Sequence, residues 1–224
     1  MSERLGEADL PDILALHRLS LSQAAKPGLV KPDQPQFFAE HLDLRGRILG
    51  VREAGRLIAY AVLGLPNPGG PNMGEDLGLP AAAFPLVAHL AGAAVQPDAR
   101  GHGLQLRLTE ERIALAQASG RRHVLSTVSP FNYFSWRNLI AHGLLVRRLK
   151  TKYGGHLRYV LHRELGAEPA LDRARARLLA LGDAAAQGAL LEQGWAGFAL
   201  AETAGGLRIA LAPVEESSKG GDGQ

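Results

Sequence analysis

The chain has 224 residues, 46% apolar and 21% charged, and no cysteine. That composition excludes disordered and collagen-like chains, disulfide scaffolds, cysteine nucleophiles and thiolate metal sites, and the length suits one buried domain with an appendage. A formal charge of +3 gives a pI of 9.4, but the basic residues are scattered; the densest group, Arg147 to Lys152, reads as a solvated strand face and argues against a nucleic-acid partner.

Leu10 to Leu21 places apolar side chains at helical spacing, with Pro11 in the first turn where a missing N–H is tolerated. A proline-rich connection leads to a second short helix over Pro35 to Asp43. "RILGVRE" and "RLIAYAVLGL" then read as a hairpin. Gly64 to Pro85 is a long loop without periodicity, of the kind that often serves a function. "LVAHLAGAAV" is a near-continuous apolar strand of the type buried on both faces. Leu104 to Ser119 has helical spacing and ends at Gly120.

"RHVLSTV" is a strand, "NYFSWRNLIAHG" a helix ending at Gly143, and the next two strands flank Gly154 and Gly155. Further on, Pro169 to Leu181 and Ala184 to Gln193 are predicted as helices. "WAGFALAE" and "LRIALA" form a small hairpin around Ala204 to Gly206, and "SSKGGDGQ" is a polar, frayed tail. The division expected is a domain over 1–165, a helix-plus-hairpin extension over 166–216 and a disordered tail over 217–224. The first residues lack a basic segment followed by an apolar core, and no apolar run reaches the roughly 20 residues that span a bilayer. A soluble cytoplasmic protein without a membrane partner is expected.

The stretch "VQPDARGHGLQLRL" runs from strand through two glycines into a helix. A helix N-terminus offers unpaired N–H groups and a partial positive charge, and glycines allow sharp turns and close approach, so an anion is its natural ligand. The nucleotide P-loop is excluded because no Lys-Ser or Lys-Thr follows; a dinucleotide fingerprint is excluded because the third glycine is missing.

With the order of elements around it, this stretch resembles the GNAT superfamily of N-acetyltransferases over Leu5 to Leu165. The carriers are "AAVQPDARGHGL", similar to the family's acetyl-CoA pyrophosphate loop, and "TVSPFNYFSWRNLIAHGL", similar to its asparagine-bearing helix. The resemblance implies an α/β (α+β) fold, a mixed central sheet that splays open, flanked by helices. It implies that the backbone of Ala93, Ala94 and Val95 pairs with the pantetheine arm of an acyl-CoA. Arg100, Gly101, His102, Gly103 and Leu104 would wrap the pyrophosphate, and Asn132 and Ser135, i and i+3 on one helix face, would line the opposite wall. Three positions depart from the family pattern. Asp98 is an acid near an anion, Leu139 stands where a tyrosine often protonates the departing thiolate, and Leu144 replaces an aromatic.

The activity implied is acyl-CoA-dependent N-acyltransfer, by default of acetyl, to an amine-bearing small molecule or peptide, with acetyl-CoA as co-substrate and no metal. The alternative is a non-catalytic acyl-CoA-binding or interaction module on the same fold. A homodimer is a candidate assembly. His89 is the candidate general base: strand alternation puts it on one face with Ala91, Ala93 and Val95, and aralkylamine N-acetyltransferases resemble this arrangement, though with a second histidine where Ala91 stands. Tyr133 and Tyr153 are secondary candidates for the acid, Trp136 reads as core, and Glu75 with Asp76 could attract a cationic acceptor.

Overall fold

The computed structural model describes residues 1–43 and 45–215; the polar tail predicted over 217–224 lies outside them. In chain order the elements are β1 (Glu3–Arg4), α1 (Leu10–Ser22), α2 (Pro35–Leu42), β2 (Gly46–Glu53), β3 (Arg56–Gly64), α3 (Gly74–Leu77), β4 (Val87–Val95), α4 (Leu104–Ala118), β5 (His123–Val128), α5 (Tyr133–Ala141), β6 (Leu145–Lys152), β7 (His156–Glu164), β8 (Arg177–Ala180), α6 (Ala184–Glu192), β9 (Trp195–Thr203) and β10 (Gly206–Pro213). The strands form one ten-stranded sheet in the order β1-β2-β3-β4-β5-β7-β6-β9-β10-β8. This is the mixed, helix-flanked sheet expected from the sequence.

Two irregularities in β4 position the site. Its parallel pairing with β5 covers only Val87↔His123, Ala88↔Val124 and His89↔Leu125, after which the two strands part. Its antiparallel pairing with β3 slips: Leu63 faces Leu90 but Ala61 faces Ala93, so β4 holds one extra residue, a bulge. Alternation therefore fails beyond it. Ala91 and Ala94 pack with the α1/α2 cluster, whereas Ala93 and Val95 pack with Leu104 and Leu108 of α4. The sequence expectation that His89 shares a face with Ala93 and Val95 is thus corrected, since a period-2 reading cannot see an inserted residue.

Arg112 stabilises the bulge. It lies on the buried stripe of α4 at 2% exposure and donates from Nη1 to the carbonyls of Val62 (3.0 Å) and Ala91 (3.4 Å), from Nε to Leu108 O (3.1 Å) and from Nη2 to Thr109 Oγ1 (3.2 Å). Val62 and Ala91 flank the register shift, so a side chain replaces the ladder where the ladder fails. Burial without a carboxylate pulls the guanidinium down to about 9.

Trp136 is core, fully buried against Tyr159 with its indole N–H donating to Pro130 O at 2.9 Å. The same core takes in Leu190, Leu191, Trp195, Ile209 and Leu211, so the C-terminal segment shares it. That segment continues the sheet through a β9–β6 bridge, Val146↔Gly197, and buried Gln187 accepts from Tyr159 Oη at 2.7 Å. The helix expected over Pro169 to Leu181 is a 3₁₀ turn, Arg173–Arg175, followed by edge strand β8 paired with β10. The alternation of Arg173, Arg175 and Arg177 with Ala174, Ala176 and Leu178 has strand period, and β10 offered the edge that outweighed local helix propensity.

Candidate active site

Where β4 and β5 part, a cleft of about 790 Å³ opens. Its walls come from the α1–α2 connection, α2, the loop between β3 and β4, the diverging strands, α4 and α5, and the β6–β7 turn. Ser126 spans the gap at the fork, its hydroxyl donating to Leu90 O at 2.7 Å. Gly92, in the bulge, lets a carboxylate approach: a Cβ there would lie 3.3 Å from Asp33 Oδ2.

At one end, beyond the bulge, the chain turns into α4 through Gly101 and Gly103, at φ 84° and 71°, a region that favours glycine. A Cβ on either would meet nothing within 4 Å, so the space over this turn is open. Among the described residues, the backbone N–H groups of Gly101, His102, Gly103 and Leu104 have no protein acceptor. Open space above free N–H groups at a helix mouth fits a diphosphate. Asp98 does not spoil it: the carboxylate pairs with Arg56 at 2.7 Å, which holds its pKa below the usual value. Arg100 and His102 are exposed. Asn132 precedes the first turn of α5, its side chain without a partner among the described residues. Ser135 Oγ accepts from Gln105 Nε2 at 3.1 Å, linking α5 to α4.

Ala93, Asn132, Ser135, His89 and buried Leu139 line this one cleft. Ala94 faces the α1/α2 core and Val95 packs beside Leu104, and neither is among the residues that line the cleft. Arg100 to Leu104 form the turn at the mouth of α4, outside the cleft lining.

The other end carries the titratable groups. His89 Nε2 accepts the Met73 N–H at 3.0 Å, which puts the ring proton on Nδ1 and occupies the lone pair. Burial, aided by neighbouring His41, lowers its pKa to about 4. His41, on α2, has the opposite arrangement: Nδ1–H donates to Phe37 O at 2.6 Å, leaving the Nε2 lone pair unpartnered. Burial lowers its pKa as well, against the raising influence of the Phe37 carbonyl. A Cβ on Gly64 would lie 3.2 Å from His41 Nε2 and 3.3 Å from His89 Cβ, so the two histidines flank this glycine.

His17 joins Tyr60 Oη (2.9 Å) to the Asp33 backbone N–H (3.0 Å) and thereby sets Asp33 over the bulge. The Asp33 carboxylate, its side chain 5% exposed, pairs with Lys31. Asp76 is paired with Lys152 at 2.5 Å and Lys150 at 3.7 Å, so it is no open trap for a cation. Tyr153, at φ 53° in the β6–β7 turn, bonds Thr127 Oγ1 through its hydroxyl at 3.0 Å. His41, Asp33 and Arg112 carried no sequence motif, although an arginine at i+4 from Leu108 and i−4 from Ala116 on an apolar stripe was a readable signal.

The sequence profile of the acetyltransferase (GNAT) family matches residues 13–143. The chain belongs to this family. Solved structures with the same fold include the ribosomal-protein-alanine N-acetyltransferase of Brucella melitensis, 19% identical over 74% of this chain and 99% of that one, with a TM-score of 0.55. The phosphinothricin acetyltransferase of Sinorhizobium meliloti, solved with AcCoA, is 19% identical over 75% and 89%, with a TM-score of 0.56. The ribosomal-protein-S18-alanine N-acetyltransferase of Escherichia coli is 17% identical over 75% and 94%, also at 0.56. No curated protein sequence matches the chain. The GNAT assignment supports acetyltransferase activity and an acyl-CoA co-substrate in general terms. Among the described residues no helix is long and apolar enough to cross a membrane, and no cluster of three or more His, Cys, Asp or Glu could hold a metal.

Proposed function

We propose that this GNAT protein transfers an acyl group, acetyl by default, from acyl-CoA to a primary amine by direct attack. The observation that carries the reading is the fork between β4 and β5 ending beside the open N–H cradle of Gly101 to Leu104. The pantetheine arm would pair with Ala93 to Val95 along the edge turned toward β5, opposite their pairing with β3, with Asn132 and Ser135 on the facing wall. The diphosphate would rest on the cradle.

An ordinary amine has a pKa near 10.4 and reaches the cleft protonated. His41 is neutral at pH 7 because burial lowers its pKa, and it lines the cleft with its Nε2 lone pair unpartnered, so it takes the ammonium proton. His89, with its lone pair bound to Met73, holds the β3–β4 loop across Gly64 from His41. The freed nitrogen attacks the thioester carbon. The tetrahedral intermediate collapses with the C–S bond electrons leaving on sulfur, a group with a thiol pKa of about 8.5 that departs with modest help, and the nitrogen's second proton passes to that sulfur, so that an amide and a free thiol result. Leu139 gives none; Tyr153 Oη, held near β5 by Thr127, is the nearest phenol of the cleft lining to that strand.

Buried Leu139 at the usual acid position favours the second reading, an acyl-CoA-binding module without turnover. Mixing the protein with acetyl-CoA and a panel of amines while following free thiol separates the two. Thiol release that depends on amine is expected; tight CoA binding without release on any amine would establish the module.

A further inference from the structure

A second cavity, of about 370 Å³, adjoins the acceptor end of the cleft and shares Val30, Tyr153 and Arg158 with it. Its lining includes Lys26, His156 and Arg158 and no aspartate or glutamate. Gly28 closes it with its backbone against the His156 ring, where a Cβ would lie only 2.3 Å from Nδ1.

Arg158 is the unusual group. It is 3% exposed, and its one hydrogen-bond partner among the described residues is the carbonyl of its own neighbour, Leu157, at 3.0 Å. The other cations around the Tyr153 ring are neutralised: Lys31 by Asp33 and Lys152 by Asp76. Arg158 lies 5.8 Å from the same ring centroid and makes no ion pair among the described residues. Burial lowers its pKa from the usual value, yet it stays cationic at neutral pH. A buried guanidinium without a counter-charge is costly unless a ligand supplies one.

We infer that the acceptor is an amine carrying an oxyanion, its amine beside His41 and Asp33 and its carboxylate or phosphate on Arg158, with Lys26 and His156 at the outer rim. This rests on the N-acyltransferase reading and names its substrate class. Planar guanidinium donors suit a carboxylate or a phosphate oxygen pair. The Tyr153 ring centroid lies 5.0 Å from Lys31 Nζ, which is bonded to Asp33, and 5.8 Å from the Arg158 guanidinium, so the two ends adjoin one ring without touching each other among the described hydrogen bonds. The anion is therefore several bonds from the amine, as in an ω-amino acid or a phosphorylated amino alcohol.

The test pairs 5-aminovalerate and phosphoethanolamine with pentylamine and 1,5-diaminopentane, scored by kcat/KM from thiol release and by calorimetric affinity. The anionic amines are expected to exceed the other two by about 30-fold or more, an effect of the size seen for charge-assisted bonds. R158Q should abolish that preference through KM, with kcat for the anionic amines changing far less. R158K should restore part of it, and K26Q, at an exposed position, should weaken it mildly. The better of the two anionic probes tells carboxylate from phosphate. Equal or better use of pentylamine or diaminopentane, or a preference that survives R158Q, overturns the inference. Absence of turnover with every amine would defeat the acyltransferase reading alone; binding then decides, with selective affinity lost in R158Q supporting the anion seat and no selectivity refuting it.

Discussion

His41 and His89 each make one hydrogen bond, through opposite ring nitrogens, and that difference separates the proposed base from a strut. His41 gives its proton to Phe37 and keeps a lone pair; His89 spends its lone pair on Met73. H41Q should lower kcat by about 100-fold, at the lower end of general-base contributions, with CoA affinity unchanged. The pH profile carries a sign. A base with a pKa lowered from 6.5 loses function only as pH falls through that lowered value. Wild-type kcat/KM should therefore show an acid limb below pH 6.5 that H41Q lacks. Arg112 makes a different residue-scale argument. R112M would leave the Val62 and Ala91 carbonyls buried and unpaired, at about 1–3 kcal/mol each. Urea unfolding should report a loss of about 2–6 kcal/mol in sum, and calorimetry a weaker CoA affinity, because the bulge that shapes the cleft relaxes.

At the scale of elements, the chain announces what is periodic and conceals what is irregular. The helices over Leu10–Ser22, Leu104–Ala118 and Tyr133–Ala141 and the hairpin across Gly154 follow from spacing and turn residues that local chemistry dictates. The glycine turn was legible because Gly101 and Gly103 sit at positive φ, a region that favours glycine. The bulge in β4 was not, since an extra residue is defined by its partner strand. Nor was β8, whose strand form depends on β10 being there to pair with it. Asp33, His41 and Arg158 were hidden for the same reason: three distant segments meet only once the sheet forks. G103A tests the turn. The added methyl has room but must hold φ near 71°, at roughly 1 kcal/mol or more. CoA should bind about fivefold or more weakly, with the global unfolding midpoint little changed, since the strain sits at an exposed helix mouth. Unaltered CoA affinity would show that the diphosphate lies elsewhere.

Across the whole molecule, the fold keeps its buried histidines uncharged. His89 is lowered to about 4 by burial and by His41, with Asp76 opposing and Lys152 assisting. His162, on β7, is likewise lowered to about 4 by burial, by His123, which it meets at 3.1 Å, and by Arg147. His17, His41 and His123 shift in the same direction, each chiefly through burial. Unfolding returns these rings to about 6.5. Between pH 6.5 and 4 the unfolded chain therefore binds protons that the native chain refuses, and stability must fall as pH falls through that window. Above pH 7 both states are neutral at these sites and the contribution is flat. Near pH 5, His89 and His162 together make unfolding take up about two protons, a slope of about 2.7 kcal/mol per pH unit. Urea titrations at steps between pH 7.5 and 4.5 measure it directly. H162Q, far from the cleft, should remove about one proton from the slope while sparing thiol release at pH 7.5. A stability that stays level from pH 7 to 5 would mean that these rings gain protons in the native state, and that the lone-pair assignments at His89 and His41 are wrong.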